Sequence, residues 1–209
     1  MKTVFNVILV LCVAGLAYVS YQSIKAPIEF SETKDLREKA IIKKLIDIRS
    51  AEVAWAEAHN RHYTADFDSL IDFVKNAKTK EIKKEGVLTD EQLEAGMTEE
   101  KAVKLGLIKR DTMIVSVAEN LKIKDIDNLA EVPYGNGKKF NLKTGQQYNS
   151  KTETTLYLFQ CDIDYDTYLS GLNDSELNAL KNKAEKGGKF AGLKVGDVES
   201  PNNNAGNWE

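Results

Sequence analysis

An α+β fold is predicted for this 209-residue chain by three observations. An apolar run opens the sequence, a long amphipathic pattern follows it directly, and strand-like segments are confined to the second half. Only three prolines, and no Ser- or Gln-rich stretch, argue for a folded body rather than a long disordered linker.

The apolar run covers Val4 to Val19, broken only by Asn6, with Lys2 and a free amino group ahead of it. Extended to Tyr21 it reaches about 27 Å as a helix, close to the minimum span of a bilayer core. Tyr18 and Tyr21 at its far end suit an interfacial aromatic belt. A competing reading is a cleaved signal peptide, because Gly15-Leu16-Ala17 offers a small-x-small cleavage pattern. Both readings place the rest of the chain outside the cytoplasm. The anchor is favoured because the apolar run continues past Ala17. Residues 1–24 are therefore assigned as a transmembrane anchor or signal peptide.

Pro27 is expected to interrupt any continuous helix, since proline removes a backbone donor and clashes with the preceding turn. A new helix is expected over residues 33–58, capped by Ser31 or Thr33 with Glu32 and Asp35 in its first turn. Ile41, Leu45, Ile48 and Trp55 form its apolar stripe, widened by Ile42, Ile46 and Val53. Lys43, Lys44, Asp47, Arg49 and Glu57 lie opposite. Such a helix packs on a sheet whatever the protein does. A short helix follows Asn60-Arg61-His62-Tyr63, capped by Thr64 or Asp66, with Phe67, Leu70, Ile71 and Val74 on one face. Residues 25–78 thus read as a helical stalk plus a short helix.

Residues 79–111 read as a charged, solvated insertion of small helices, with starts at Thr89–Glu94 and Thr98-Glu99-Glu100. From Thr112 the pattern changes to strands, and residues 112–209 are expected to form an antiparallel sheet with one helix and a polar tail. Thr112 to Ala118 is rich in β-branched residues. Tyr134-Gly135-Asn136-Gly137 supplies turn chemistry ahead of Lys139 to Leu142, Thr144-Gly145 is read as another turn, and Thr154 to Ile163 is the strongest strand. Ser175 to Glu185 reads as a helix capped by Asp174 or Ser175.

Charge and cysteine content narrow the function. The net charge of −3 comes from 29 basic and 32 acidic residues mixed along the chain, with no basic block or basic helix face, so nucleic acid is not an expected partner. Cys12 lies in the apolar run and Cys161 far downstream, so no internal disulfide is expected. Cys161 reads as a small buried apolar residue of its strand.

The motifs with chemical potential are few. His59 and His62, the only histidines, have a spacing that can pair on zinc, but no further Cys or His is placed to complete a tetrahedral site. Neither sits in a nucleophile motif. Asp162, Asp164 and Asp166 alternate as at the start of a calcium loop, yet Thr167 stands where that loop needs glycine and Asn173 where it needs a bidentate glutamate. Their expected place is one exposed face at a strand end. With no catalytic motif surviving, no enzyme activity and no cofactor are predicted.

Three features together resemble the pilins and pseudopilins of type IV pili and type II secretion systems. An apolar helix leads into an amphipathic one carrying Ile48-Arg49-Ser50-Ala51-Glu52 and Ala54-Trp55. His59-Asn60-Arg61-His62-Tyr63-Thr64 is similar to that family's Asn-Gly-x-Tyr-Pro turn before a short helix. Gly206-Asn207-Trp208 is similar to the ending of major pseudopilins. Departing from the pattern, no Gly-Phe prepilin-peptidase pair precedes the apolar run and no glutamate falls early within it.

The resemblance implies a pilin-like fold, with the long helix packed on a small antiparallel sheet. It implies a structural or assembly part in a secretion or filament apparatus, with the membrane, other envelope proteins or further copies of the chain as partners through the N-terminal helix. It also implies calcium in the acidic loop near the C-terminus, for which Asp197, Glu199 and Asn203 are the candidates here. The alternative is an extracytoplasmic module that binds a peptide, glycan or ion near Asp162 to Tyr168 and the Asn-rich tail.

Overall fold

A computed structural model describes residues 2–86, 88–89, 96–150 and 153–209. The chain divides into two compact units, Met1–Phe67 with Asn128–Glu209, and Asp68–Asp127.

The first unit is built on one helix, α1 (Lys2–Ala58), of 57 residues. At 1.5 Å per residue it is about 85 Å long. It runs unbroken through Pro27, where an interruption was expected. Proline deprives the Ser23 carbonyl of its helical donor, but the bonds on either side suffice to carry the helix through, as long helices tolerate.

From Phe30 onward α1 acquires a buried stripe: Phe30, Ile41, Leu45, Ile48, Ala51, Glu52 and Ala56. The spacings of four, three, four and four from Ile41 to Ala56 follow the helical period. Trp55, expected in that stripe, is only half-buried and instead stacks on His59, with ring centroids 4.0 Å apart. The core position at that level belongs to Glu52.

The stripe lies against a three-stranded antiparallel sheet of order β3-β4-β5. Its strands are β3 (Asn141–Asn149), β4 (Thr154–Asp164) and β5 (Gly192–Gly196). Thr144 and Gly145 lie inside β3, paired with Phe159 and Leu158. Sequence reading takes them as a turn because Thr-Gly favours one, but pairing to the strongest strand overrides that local preference. Phe159, Cys161 and Ile163 alternate along β4 and are all buried. Phe159 touches Tyr63, which follows α1 closely in sequence.

Gly196, at φ +70, ends β5 where an added Cβ would sit 2.2 Å from the Phe159 carbonyl oxygen. After β4 come a single turn α5 (Tyr165–Tyr168) and the helix α6 (Asp174–Lys186), capped by Asn173 through Ser175 N and Glu176 N. Asn173 is one residue before the expected caps.

The second unit holds α2 (Phe67–Asn76) from its second residue onward, β1 (Lys78–Glu85), α3 (Glu99–Lys104), β2 (Lys109–Ser116) and α4 (Val117–Leu121). Leu70 and Val74 are the buried residues of α2. The stretch read as an insertion of small helices is instead framed by a two-stranded antiparallel ribbon, with Lys78 opposite Ser116 and Glu85 opposite Lys109. Charged residues alternate poorly with apolar ones in β1, so its strand character is hidden until it pairs with the β-branched Thr112–Val115 run. Thr98 does cap α3, accepting from Lys101 N. Of the expected start at Thr89–Glu94, residues 90–94 lie outside the described residues.

Candidate functional site

The features with functional potential lie along α1 and at the sheet end of the first unit. Between Val4 and Ile28, α1 exposes its large apolar residues on every side, from 52% to 69%. Among the described residues none of this apolar window is buried. Water makes such a surface unfavourable at about 25 cal/mol per Å², whereas a bilayer core solvates it. This is a helix long and apolar enough to cross a membrane.

Where α1 enters the body, polar side chains tie it down. Arg37 donates through Nη1 to the carbonyls of Tyr168 at 2.7 Å and Ser170 at 3.2 Å. Its guanidinium also lies 5.3 Å from the Tyr134 ring centroid. The fully buried Tyr168 donates its hydroxyl to Glu38 Oε1 at 3.1 Å, while Lys34 donates to Glu38 Oε2 at 2.8 Å. Burial pushes the Tyr168 phenol far above its ordinary range, and the Glu38 carboxylate adds to the shift.

At the other end of the stripe, Glu52 is fully buried. Its Oε2 accepts from Thr64 N at 3.2 Å, and its Oε1 has no hydrogen-bond partner among the described residues. Desolvation raises its pKa to about 8, with the Thr64 amide acting weakly in the other direction. An isolated buried carboxylate is costly as an anion, so the neutral acid is the form this site holds at neutral pH. Cys161 is buried, and desolvation pushes its thiol well above the usual range. It is an inert core residue, in keeping with the sequence reading. Sequence reading places Glu52 only as a member of a motif, because its neighbours Ala51 and Val53 give no sign that position 52 faces the core.

The Asp162-Asp164-Asp166 alternation does not share one exposed face. Asp162 is buried, accepting from Gln160 Nε2 at 2.7 Å and Asn141 Nδ2 at 3.1 Å, with Lys143 Nζ at 3.9 Å. Asp164 is the N-cap residue of α5, and Asp166 pairs with Lys181 at 2.7 Å. The strand ends at Asp164, and the helical turn that follows breaks the alternation. Thr167 and Tyr168 are buried as well, so of the exposed face expected near Asp162 to Tyr168 only Asp164 and Asp166 remain exposed.

The C-terminal tail is pinned to the body. Arg49 Nη1 donates to Glu209 Oε1 at 2.7 Å and to the Asn204 carbonyl at 3.3 Å. Asn204 Nδ2 donates to Tyr63 Oη at 3.1 Å, and the Trp208 ring covers Gly206 so closely that a Cβ there would lie 2.4 Å from it. Asp197 accepts from Lys194 Nζ at 2.7 Å and, through Oδ1, from Glu199 N at 2.9 Å and Ser200 N at 3.2 Å. These bonds, the Lys194 pair foremost, hold its carboxyl below the usual range. Glu199 and Asn203 are exposed, Asn203 at φ +55. Among the described residues no group of three or more His, Cys, Asp or Glu is arranged to hold a metal.

His59 and His62 are exposed, the former stacked on Trp55 and the latter 3.9 Å from the Tyr157 ring. Beside them a groove of about 770 Å³ runs between the end of α1 and β4, lined by Val53, Ala56, Glu57, Arg61, Leu156 and Tyr157 among others. No family model, curated protein or solved structure gives a significant match to this chain. What the fold itself defines is an α+β protein in which, among the described residues, one helix is long and apolar enough to cross a membrane.

Proposed function

We propose that this chain is a non-enzymatic, membrane-anchored envelope protein, a pseudopilin-like structural or assembly component of a secretion or filament apparatus with its body on the extracytoplasmic side. One observation carries the reading: α1 is a single helix whose first half exposes apolar residues on all sides and whose second half is the core helix of a folded body. A rigid rod of that kind transmits the position of its lipid-embedded half to the body and offers an elongated packing surface to neighbours. The tail pinned to α1 by Arg49, and the inert burial of Cys161, fit a structural role.

Crosslinking in native membranes, followed by detergent extraction, tests this. The chain is expected in crosslinked species with an envelope protein or a second copy, and Cys12, exposed on the apolar half of α1, reports self-association by disulfide formation under oxidation. Recovery as an uncrosslinked monomer under conditions that capture a known envelope complex overturns the reading.

The groove beside His62 favours a second reading, an extracytoplasmic module for a peptide or similar ligand. A thermal-shift screen with peptides and cell-wall fragments discriminates, because a ligand of the native state raises the melting temperature.

A further inference from the structure

The two edges of the three-stranded sheet in the first unit differ. The outer edge of β5 is closed by the chain's own tail. Val195 bridges to Gly206, Gly196 N donates to the Ala205 carbonyl at 3.1 Å, and Asn207 N donates to the Lys194 carbonyl at 3.0 Å. The outer edge of β3 has no such cover. Its nine residues pair with β4 in unbroken register, without a bulge. Among the described residues no strand or bridge pairs with residues 143–148 from the other side. Edge strands are usually protected by shortness, proline, a bulge or several charges. β3 is long for an edge, has no proline, and carries one charge, Lys143.

An open strand edge is a template for one more extended polypeptide, because only a peptide main chain supplies matching donors and acceptors along it. A second copy of this chain does not fit. Antiparallel pairing of β3 with its own copy needs a two-fold axis normal to the sheet, and that axis reverses every direction in the sheet plane. α1 lies along that plane with its buried stripe on the sheet. The two apolar halves would therefore point in opposite directions and could not share one bilayer. Pairing of β3 with β5 of another copy is blocked by the tail. Only this exclusion rests on the anchored reading; the open edge does not.

The surroundings of β3 define the chemistry of the partner. Residues 132–150 contain Lys138, Lys139 and Lys143 and no acid, and all three lysines are exposed. Asp162 stands 3.9 Å from Lys143, but its carboxylate is already held by Gln160 and Asn141. Beside the strand, a hollow of about 290 Å³ is lined by His62, Thr144, Gln146 and Tyr157 among others, with no carboxylate. Imidazole, hydroxyl and amide groups there can donate to a carboxylate side chain. We propose that the β3 edge takes an extended acidic segment of another polypeptide as a fourth strand, its main chain along residues 143–148 and its carboxylates beside the hollow and the lysines.

The full chain in phosphatidylcholine nanodiscs tests this with a fluorescent decapeptide of alternating Thr and Glu, read by anisotropy and by amide hydrogen exchange. The peptide is expected to bind, more weakly as salt rises, and to slow exchange in residues 143–148 while leaving β5 unchanged. A decapeptide of alternating Thr and Lys should bind at least about tenfold more weakly. The fully N-methylated Thr-Glu peptide, which has no backbone donor, should also lose at least about tenfold. Lys143→Gln should weaken binding about two- to fivefold and reduce its salt dependence.

Absence of binding overturns the proposal, as do equal affinity for the acidic and basic peptides, undiminished binding of the N-methylated form, or protection confined to the groove beside Val53 and Arg61. Protection of residues 143–148 that grows with the chain's own concentration and needs no peptide assigns the edge to a second copy, and overturns it too. Co-elution of the chain with the nanodisc reports anchoring separately, so failure of docking and failure of the anchored reading are distinguished.

Discussion

Glu52 concentrates the residue-scale physics of this protein. In the unfolded chain its carboxyl titrates near 4.5, and in the fold near 8. Below the lower value both states hold the proton and the site adds no pH dependence. Between the two values only the folded state holds it, so stability falls as pH rises, by roughly 1.4 kcal/mol per unit, and the loss is complete above the folded pKa. Glu52→Gln keeps the acceptor for Thr64 N and cannot ionise. Chemical-denaturation curves from pH 5 to 9 should show the variant gaining on the parent as pH rises to about 8 and levelling off above it, and parallel profiles would refute the assignment. Gly196 offers a second residue-scale test. A side chain at its positive φ, against the Phe159 carbonyl, should make Gly196→Ala destabilising by at least ~1 kcal/mol, measured as a lowered denaturation midpoint with unchanged slope.

The stripe along α1 sets the energetics of the element. Leu45 is fully buried whereas Val53, eight residues on, is 37% exposed. Leu45→Ala should cost about 2–5 kcal/mol through lost burial and the cavity left behind, while Val53→Ala should cost less than ~1 kcal/mol. Equal losses would mean that the helix does not pack by the face described. Much of this stripe is legible beforehand, because Ile41, Leu45 and Ile48 recur at the helical period. Its end is not. Trp55 is the more apolar choice at that level, yet it stacks on His59 while Glu52 takes the core position. Hydropathy ranks side chains by preference for water and carries no information on how the chain leaves the helix after Ala58, which is what turns Thr64 N toward Glu52. The ribbon is harder still to read. In β1 the strand itself becomes visible only once β2 supplies its pairing partner.

For the whole molecule, the unbroken α1 joins a lipid-compatible rod to a folded body. If the apolar half spans the cytoplasmic membrane with the body outside, protease added to intact spheroplasts should trim the chain while a cytosolic control survives, and alkaline carbonate should leave it in the membrane pellet. Protection of the body from protease would remove both the compartment and the assembly role. The tail adds a linked expectation. Arg49→Ala removes the contacts to Glu209 and Asn204. Because the ion pair is partly solvated, global stability should change by no more than ~1 kcal/mol. Proteolysis near residues 202–209 should nevertheless quicken.

The order of residues alone determined the apolar run, the helical period from Ile41 to Ile48, the strength of β4 and the burial of Cys161. These depend on composition and on short-range periodicity, which are local properties of the chain. Tertiary structure alone decided that Thr144-Gly145 is strand, that Asp162 is enclosed by Asn141 and Gln160, and that Lys78–Glu85 is a strand paired with Lys109–Ser116. Each of those outcomes is set by residues distant in sequence, through pairing register or through the solvation a neighbour removes, and neither is written at the position it governs.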